Sequence, residues 1–112
     1  MIMEIAEPPE TGIVQVGDLT VDFGRRDVII GGTAAELTNR EFELVSYLTR
    51  NLNQAISRDQ LFETVWGYNL DFNSNSLDVY IYRIRRRIET NPNRPQYLKT
   101  MRGFGYKMVA PA

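Results

Sequence analysis

The chain has 112 residues, 43% of them hydrophobic and 24% charged, a composition typical of one folded domain. It contains no cysteine and no histidine, so a disulfide framework is excluded and the commonest metal ligand and general base are missing. No apolar run approaches the roughly 18 residues that span a bilayer. We therefore expect a cytoplasmic, non-enzymatic protein without a metal site or cofactor. One domain is expected at residues 13–112, after a flexible leader or linker remnant at residues 1–12.

The charges are divided unevenly along the chain, although the net charge is only −1. Residues 1–72 carry 5 Lys/Arg and 12 Asp/Glu, a net charge of −7, whereas residues 73–112 carry 8 and 2, a net charge of +6. Binding to a polyanion depends on the local field rather than on the total charge. The C-terminal part is therefore expected to face an anionic partner.

The segment at residues 14–36 alternates strand and turn signals. Residues 19–23 alternate apolar and polar side chains, and residues 28–30 form a second apolar run between turn residues, so each predicts a strand. Shorter pieces at residues 13–16 and 33–36 would complete a small antiparallel sheet.

Two helix starts carry the same capping pattern. Thr38 and Ser57 are each followed three residues later by Glu or Gln, the spacing of a capping box. The pattern predicts helices at residues 38–51 and 57–66, the second ending at Gly67 as its C-cap.

A third helix is predicted to begin near Asn75, with Asp78 as an acid in its first turn, and to end before the prolines of residues 91–95. Its apolar side chains recur at helical spacing and form a narrow stripe that should face the core. The stripe consists of Leu77, Ile81, Ile84 and Ile88.

Within the third helix, a stretch of five residues contains four arginines. An α-helix fits the major groove of B-DNA, and arginine forms two hydrogen bonds to guanine. Arg83 is the candidate for reading a base, because it lies on the exposed side near the middle of the helix. Arg85, Arg86 and Arg87 are candidates for phosphate contacts. The alternative is a solvated charged face, but Glu89 is the only acid at pairing distance from these arginines.

Other side chains of this helix suit the same role. Val79 points away from the core stripe and could contact a thymine methyl group, and Tyr82 could bind phosphate. For Tyr80, DNA contact and simple packing are equally open. Trp66 is expected mainly to pack in the core, with its indole N–H free for a phosphate. The major-groove candidates are Asn75, Ser76, Val79, Tyr80 and Arg83.

A hairpin is predicted at the C-terminus. Residues 97–101 and 106–109 would form its strands, and residues 102–105 its glycine-containing turn. An arginine such as Arg102 at the tip suits the narrow minor groove of A·T-rich DNA, although an ordinary exposed turn remains the alternative. The order of a sheet, three helices and a basic hairpin predicts an α+β fold, the winged helix-turn-helix.

Four motifs in this order resemble the effector domain of OmpR/PhoB-type response regulators. They lie at residues 37–44, 57–67, 77–85 and 102–106, and the resemblance covers roughly residues 17–109. It implies a four-stranded antiparallel N-terminal sheet, the third helix in the major groove and the wing arginine in the minor groove. It also implies phosphate contacts by Trp66, Thr100 and Tyr106.

The resemblance further implies partners. Double-stranded DNA would be bound by dimers, often at direct repeats. A receiver domain, phosphorylated by a sensor kinase, would precede this chain if it is a fragment. A loop would contact RNA polymerase; it comprises Gly67, Tyr68, Asn69, Leu70, Asp71, Phe72 and Asn73. Two residues depart from the family pattern, because Asn75 replaces a frequent arginine and Tyr80 a frequent histidine.

The sequence thus favours a sequence-specific DNA-binding domain that controls transcription. The alternative is a winged helix that binds proteins instead of DNA, which the acidic first half keeps open.

Overall fold

The computed structural model describes residues 12–67 and 74–111, and it opens with an antiparallel sheet. The strands pair in sequential order and are β1 (Ile13–Val16), β2 (Leu19–Asp22), β3 (Asp27–Ile30) and β4 (Thr33–Ala34). The pair Val21 and Val28 lies in register and is buried, so one face of the sheet covers the core. The predicted four-stranded sheet is confirmed. Residues 1–11, predicted as part of a leader, lie outside the described residues.

The fourth strand is shorter than expected. The amide of Ala35 still donates to the carbonyl of Val28 at 2.8 Å, but Glu36 has a φ of 55°. A left-handed backbone cannot continue a strand. The chain therefore turns out of the sheet two residues early and enters the first helix.

The helices α1 (Asn39–Arg50) and α2 (Arg58–Trp66) both begin at the predicted caps. At α1 both halves of the capping box are present. At α2 the hydroxyl of Ser57 accepts from the amide of Gln60 at 3.1 Å, but the Gln60 side chain donates to the hydroxyl of Tyr47. The second box is therefore only half formed, because its glutamine links α2 to α1.

Helix α3 (Ser74–Ile88) begins earlier than predicted. The prediction of a cap at Asn75 is wrong, since this residue lies inside the helix. Asp78 consequently falls beyond the first turn of α3, and that first turn contains no acidic residue. The apolar stripe is confirmed, because each of its four side chains is at most 2% exposed. Burying a side chain of this size stabilises the fold by about 1.5–3 kcal/mol.

The predicted C-terminal hairpin is present as β6 (Leu98–Met101) and β7 (Gly105–Met108). A third strand was not expected: β5 (Ile56–Ser57), directly before α2, pairs with the free edge of β7. Gly105 permits this pairing, because a Cβ there would lie 2.0 Å from the carbonyl oxygen of Ile56. The hairpin is therefore one sheet with the start of α2.

Candidate nucleic-acid interface

The face of α3 that lies opposite the core stripe is open to solvent. Val79 and Tyr82 are each 48% exposed, and Arg83, Arg86 and Arg87 are exposed as well. The three arginines line an open groove together with Glu41 of α1. Within residues 12–67 and 74–111, no carboxylate forms an ion pair with any of the three. The excess of positive charge in this groove, three arginines to one glutamate, suits an anionic ligand.

Glu89 forms no ion pair with the described arginines of α3, although helical spacing places it near Arg85 and Arg86. Its side chain is buried, and its two oxygens accept hydrogen bonds from the backbone amides of Gln96, Tyr97 and Leu98 at 2.7, 3.0 and 2.8 Å. The carboxylate therefore holds the segment that enters β6. Sequence reasoning missed this role, because the donors lie 7 to 9 positions later, in the loop before β6 and at its first residue.

Arg85 differs from its three neighbours because its guanidinium is directed at the wing. Its Nε and Nη2 donate to the carbonyl of Leu98 at 3.0 and 2.8 Å, and Nη2 also donates to Oγ1 of Thr100 at 2.8 Å. Burial lowers the pKa of Arg85 from its ordinary value. The phosphate contacts predicted for Arg85 and Thr100 stay predictions, and here the two side chains bind each other.

An acidic centre lies between α2, α3 and the wing. Asp78 accepts hydrogen bonds from both terminal nitrogens of Arg58, the second at 3.0 Å, and from the hydroxyl of Tyr106. The hydrogen bond from Arg58 lowers the pKa of Asp78, whereas burial and then the bond to Asp78 raise the pKa of Tyr106 to about 12. Tyr106, predicted to hold phosphate, thus directs its only hydroxyl proton at Asp78.

Aromatic side chains pack where α2 meets α3. The ring of Trp66 stacks on Phe62 with centroids 4.8 Å apart and forms a T-shaped pair with Tyr80, with centroids 5.2 Å apart. The guanidinium of Arg40 lies 5.2 Å from the Trp66 ring, and its Nη1 donates to the carbonyl of Val65. Trp66 and Tyr80 are thus half-buried packing residues. Sequence reasoning missed Arg40, which lies beside the predicted interface and forms an ion pair with Glu43 at 3.7 Å.

The tip of the wing is exposed but its backbone is held. Gly103 has a φ of 75°, the turn geometry for which glycine is suited, and Arg102 beside it is exposed. The amide of Phe104 donates to the carbonyl of Met101, and its own carbonyl accepts from the amide of Arg58 at 3.1 Å. Phe104 is 51% exposed, a feature that sequence reasoning missed.

The remaining candidates fall at the N-terminal end of α3. Ser76 is half-buried, and Gly67 is the C-cap of α2 with a φ of 80°. The side chain of Asn75 and all of residues 68–73, the predicted polymerase loop, lie outside the described residues. In the part of the chain that is described, no cluster of acids could hold a metal ion, and no helix is long and apolar enough to cross a bilayer.

Comparison with known proteins identifies the family. The family model described as "Transcriptional regulatory protein, C terminal" matches residues 32–108. The response regulator DrrB of Thermotoga maritima, described as an OmpR/PhoB homologue, superposes with a TM-score of 0.82 and 36% identity, over 88% of this chain and 44% of DrrB. The chain belongs to the OmpR/PhoB family of response regulators, as an effector domain.

Other relatives agree. The DNA-binding domain of Klebsiella pneumoniae RstA, solved in complex with the RstA box, has a TM-score of 0.79 and 31% identity over 88% of this chain and 97% of that domain. RegX3 of Mycobacterium leprae, a sensory transduction protein, is 39% identical over 87% of this chain and 49% of its own length. The chain thus spans about half the length of the curated relatives it matches. The winged-helix fold and the family predicted from the sequence are confirmed.

Proposed function

We propose that this OmpR/PhoB effector domain binds double-stranded DNA in a sequence-specific manner and thereby controls transcription. The observation that carries the proposal is the exposed face of α3, where Arg83, Arg86 and Arg87 have no carboxylate partner among the described residues. In this proposal Arg83 reads a base in the major groove and the other two contact phosphates. Arg102, exposed at the wing turn, enters the minor groove.

For the whole protein, we propose a receiver domain that a sensor kinase phosphorylates. The effector domain, at residues 13–112, would then bind direct repeats as a dimer in the cytoplasm and contact RNA polymerase through residues 67–73. The similarity to RegX3, a sensory transduction protein, and to the response regulator DrrB supports this arrangement.

A titration against duplex DNA at several salt concentrations tests the binding. Each phosphate that is neutralised releases counterions, so the affinity should fall steeply as salt rises. An affinity that stays flat across the salt series would contradict the proposal and favour a protein-binding winged helix. Selection of bound DNA from a random pool then identifies the preferred site.

Alanine variants of the two reading arginines separate base contacts from phosphate contacts. Arg83→Ala should cost about 1–3 kcal/mol on the selected site and relax the preference at one base pair. Arg102→Ala should weaken binding most where the flanks are A·T-rich. Arg25→Ala removes the same charge from the turn between β2 and β3, where the side chain is 80% exposed, and serves as the control. Equal weakening on all sequences would make Arg83 a phosphate contact.

A further inference from the structure

Asp78 lies where three structural elements meet. Its carboxylate accepts from the Arg58 guanidinium at the first residue of α2 and from the Tyr106 hydroxyl on β7. The backbone amide of Arg58 donates in turn to the carbonyl of Phe104 in the wing turn. Because Phe104 and Tyr106 are only two residues apart on the wing, these contacts form a closed ring of interactions. They connect the tip and one strand of the wing to α3, the helix that carries the exposed arginines.

A second attachment joins the same helix to the other strand of the wing. Arg85 donates to the carbonyl of Leu98 and to the hydroxyl of Thr100 on β6. Thr100 lies in register with Tyr106, the partner of Asp78. Asp78 and Arg85 are seven residues apart, about 10 Å along the helix axis. Two attachments at this separation fix the direction of the wing as well as its distance from α3.

Removing the attachment at Arg85 and removing the one at Asp78 would affect the packing of the domain differently. Arg85 is half-buried among the strands it binds, so its removal would also disturb packing. Asp78 is more accessible and its contacts are polar, so Asp78→Asn weakens the link, by removing the charge and one of the two acceptor oxygens, with little change in volume. The accessible link is therefore the one that can be tested cleanly.

We propose that Asp78 is a positioning residue that holds the wing in its DNA-binding orientation relative to the recognition helix α3. A wing without this link would have to lose conformational freedom when it enters the minor groove, and this cost would cancel much of what its contacts contribute. The inference rests on the DNA-binding function proposed above. It assigns to Asp78 no contact with DNA.

Hydrogen exchange of the DNA-free protein gives the first test. In Asp78→Asn, the amides of Phe104 and Tyr106 should exchange about tenfold faster or more, while those in the middle of α3 stay unchanged. Asp18→Asn removes the same charge from an exposed side chain in the turn between β1 and β2 and should change neither set. Unchanged wing exchange in Asp78→Asn overturns the proposal whether or not the domain binds DNA.

A double-mutant cycle on the selected DNA gives the second test and separates positioning from simple stabilisation. In the native background, Arg102→Ala should weaken binding about tenfold on A·T-rich flanks. In the Asp78→Asn background, Arg102→Ala should lower the DNA affinity by less than about threefold. Arg83→Ala should lower the affinity by the same factor in both backgrounds. Equal costs of Arg102→Ala in the two backgrounds would show that Asp78 only stabilises the fold.

Tyr106→Phe provides a milder variant if Asp78→Asn does not fold. It removes one of the two partners of Asp78 and leaves the pair with Arg58 intact. The cost of Arg102→Ala should again shrink, by a smaller factor. A uniform loss of affinity with an unchanged cost of Arg102→Ala would identify the Tyr106 hydroxyl as a phosphate contact and would contradict the proposal.

Discussion

Glu89 offers the sharpest test of how the wing is held at its base. The residue is 8% exposed, and its carboxylate accepts from three consecutive backbone amides, those of Gln96, Tyr97 and Leu98. Glu89→Gln keeps the shape of the side chain but replaces one oxygen by an NH₂ group, which cannot accept. At least one of the amides then faces another donor.

The expected loss of stability follows from these hydrogen bonds. A hydrogen bond to a charged group contributes about 1.5–3 kcal/mol, and a buried donor without a partner costs about 1–3 kcal/mol. Since glutamine retains one acceptor, we expect the free energy of unfolding to fall by about 2–3 kcal/mol. The melting temperature should fall by on the order of 10 °C in a domain of this size.

Urea denaturation followed by circular dichroism and by the fluorescence of Trp66, the single tryptophan, measures this loss. Glu63→Gln is the matched control, because it removes the same charge from an exposed position on α2 and should stay within about 0.5 kcal/mol of the native protein. If Glu89→Gln also stayed within that margin, the carboxylate would not stabilise the base of the wing and the argument would fail.

Gly105→Ala should cost about 3 kcal/mol or more, since its Cβ would meet the carbonyl oxygen of Ile56 at 2.0 Å. Gly31→Ala has a φ of 56° but open space, so it should cost only about 1–2 kcal/mol, and equal losses in urea denaturation would contradict the clash. The pKa of Tyr106 is raised to about 12, so its contribution to stability is complete below about pH 10 and is lost as pH rises from there towards 12. The free energy of unfolding should therefore fall more between about pH 10 and pH 12 in the native protein than in Tyr106→Phe, and equal falls would refute the shift. The pKa of Asp78 is lowered, so its contribution is present above about pH 4 and is lost in acid; Asp78→Asn should show a shallower acid loss in the same assay, and an equally steep loss would count against the shift.

Features encoded over a few neighbouring residues could be predicted from the sequence. The cap at Thr38, the apolar stripe of α3 and the glycine turn of the wing each depend on spacing within one element, which the chain displays directly. The same is true of the exposure of Arg83 and Val79, which follows from the position of the stripe.

Pairings between distant residues could not be predicted. Asp78 is hydrogen-bonded to Arg58, which lies 20 positions earlier, and to Tyr106, which lies 28 positions later. No local spacing in the sequence indicates either hydrogen bond. The position of Asp78 near the start of α3 favoured a dipole role, which the earlier start of the helix removes. Arg85 was predicted to contact phosphate, like Arg86 and Arg87, because helical geometry alone does not show where β6 will lie.

The strand β5 escaped prediction because two residues, Ile56 and Ser57, are too few to show the alternation of a strand. Gly105 was predicted to belong to the wing turn, but it is the first residue of β7 and lies against the chain's own backbone at Ile56.

The pairing of β5 with β7 also bears on how the domain assembles. Ile56 lies in register with Tyr106, 50 positions later, so the wing sheet is completed by contacts that close a long loop. Such contacts form slowly because the loss of chain entropy precedes the gain from pairing. We therefore expect the helices to nucleate folding and the wing to join late. Wing substitutions such as Gly105→Ala should then change the unfolding rate more than the folding rate.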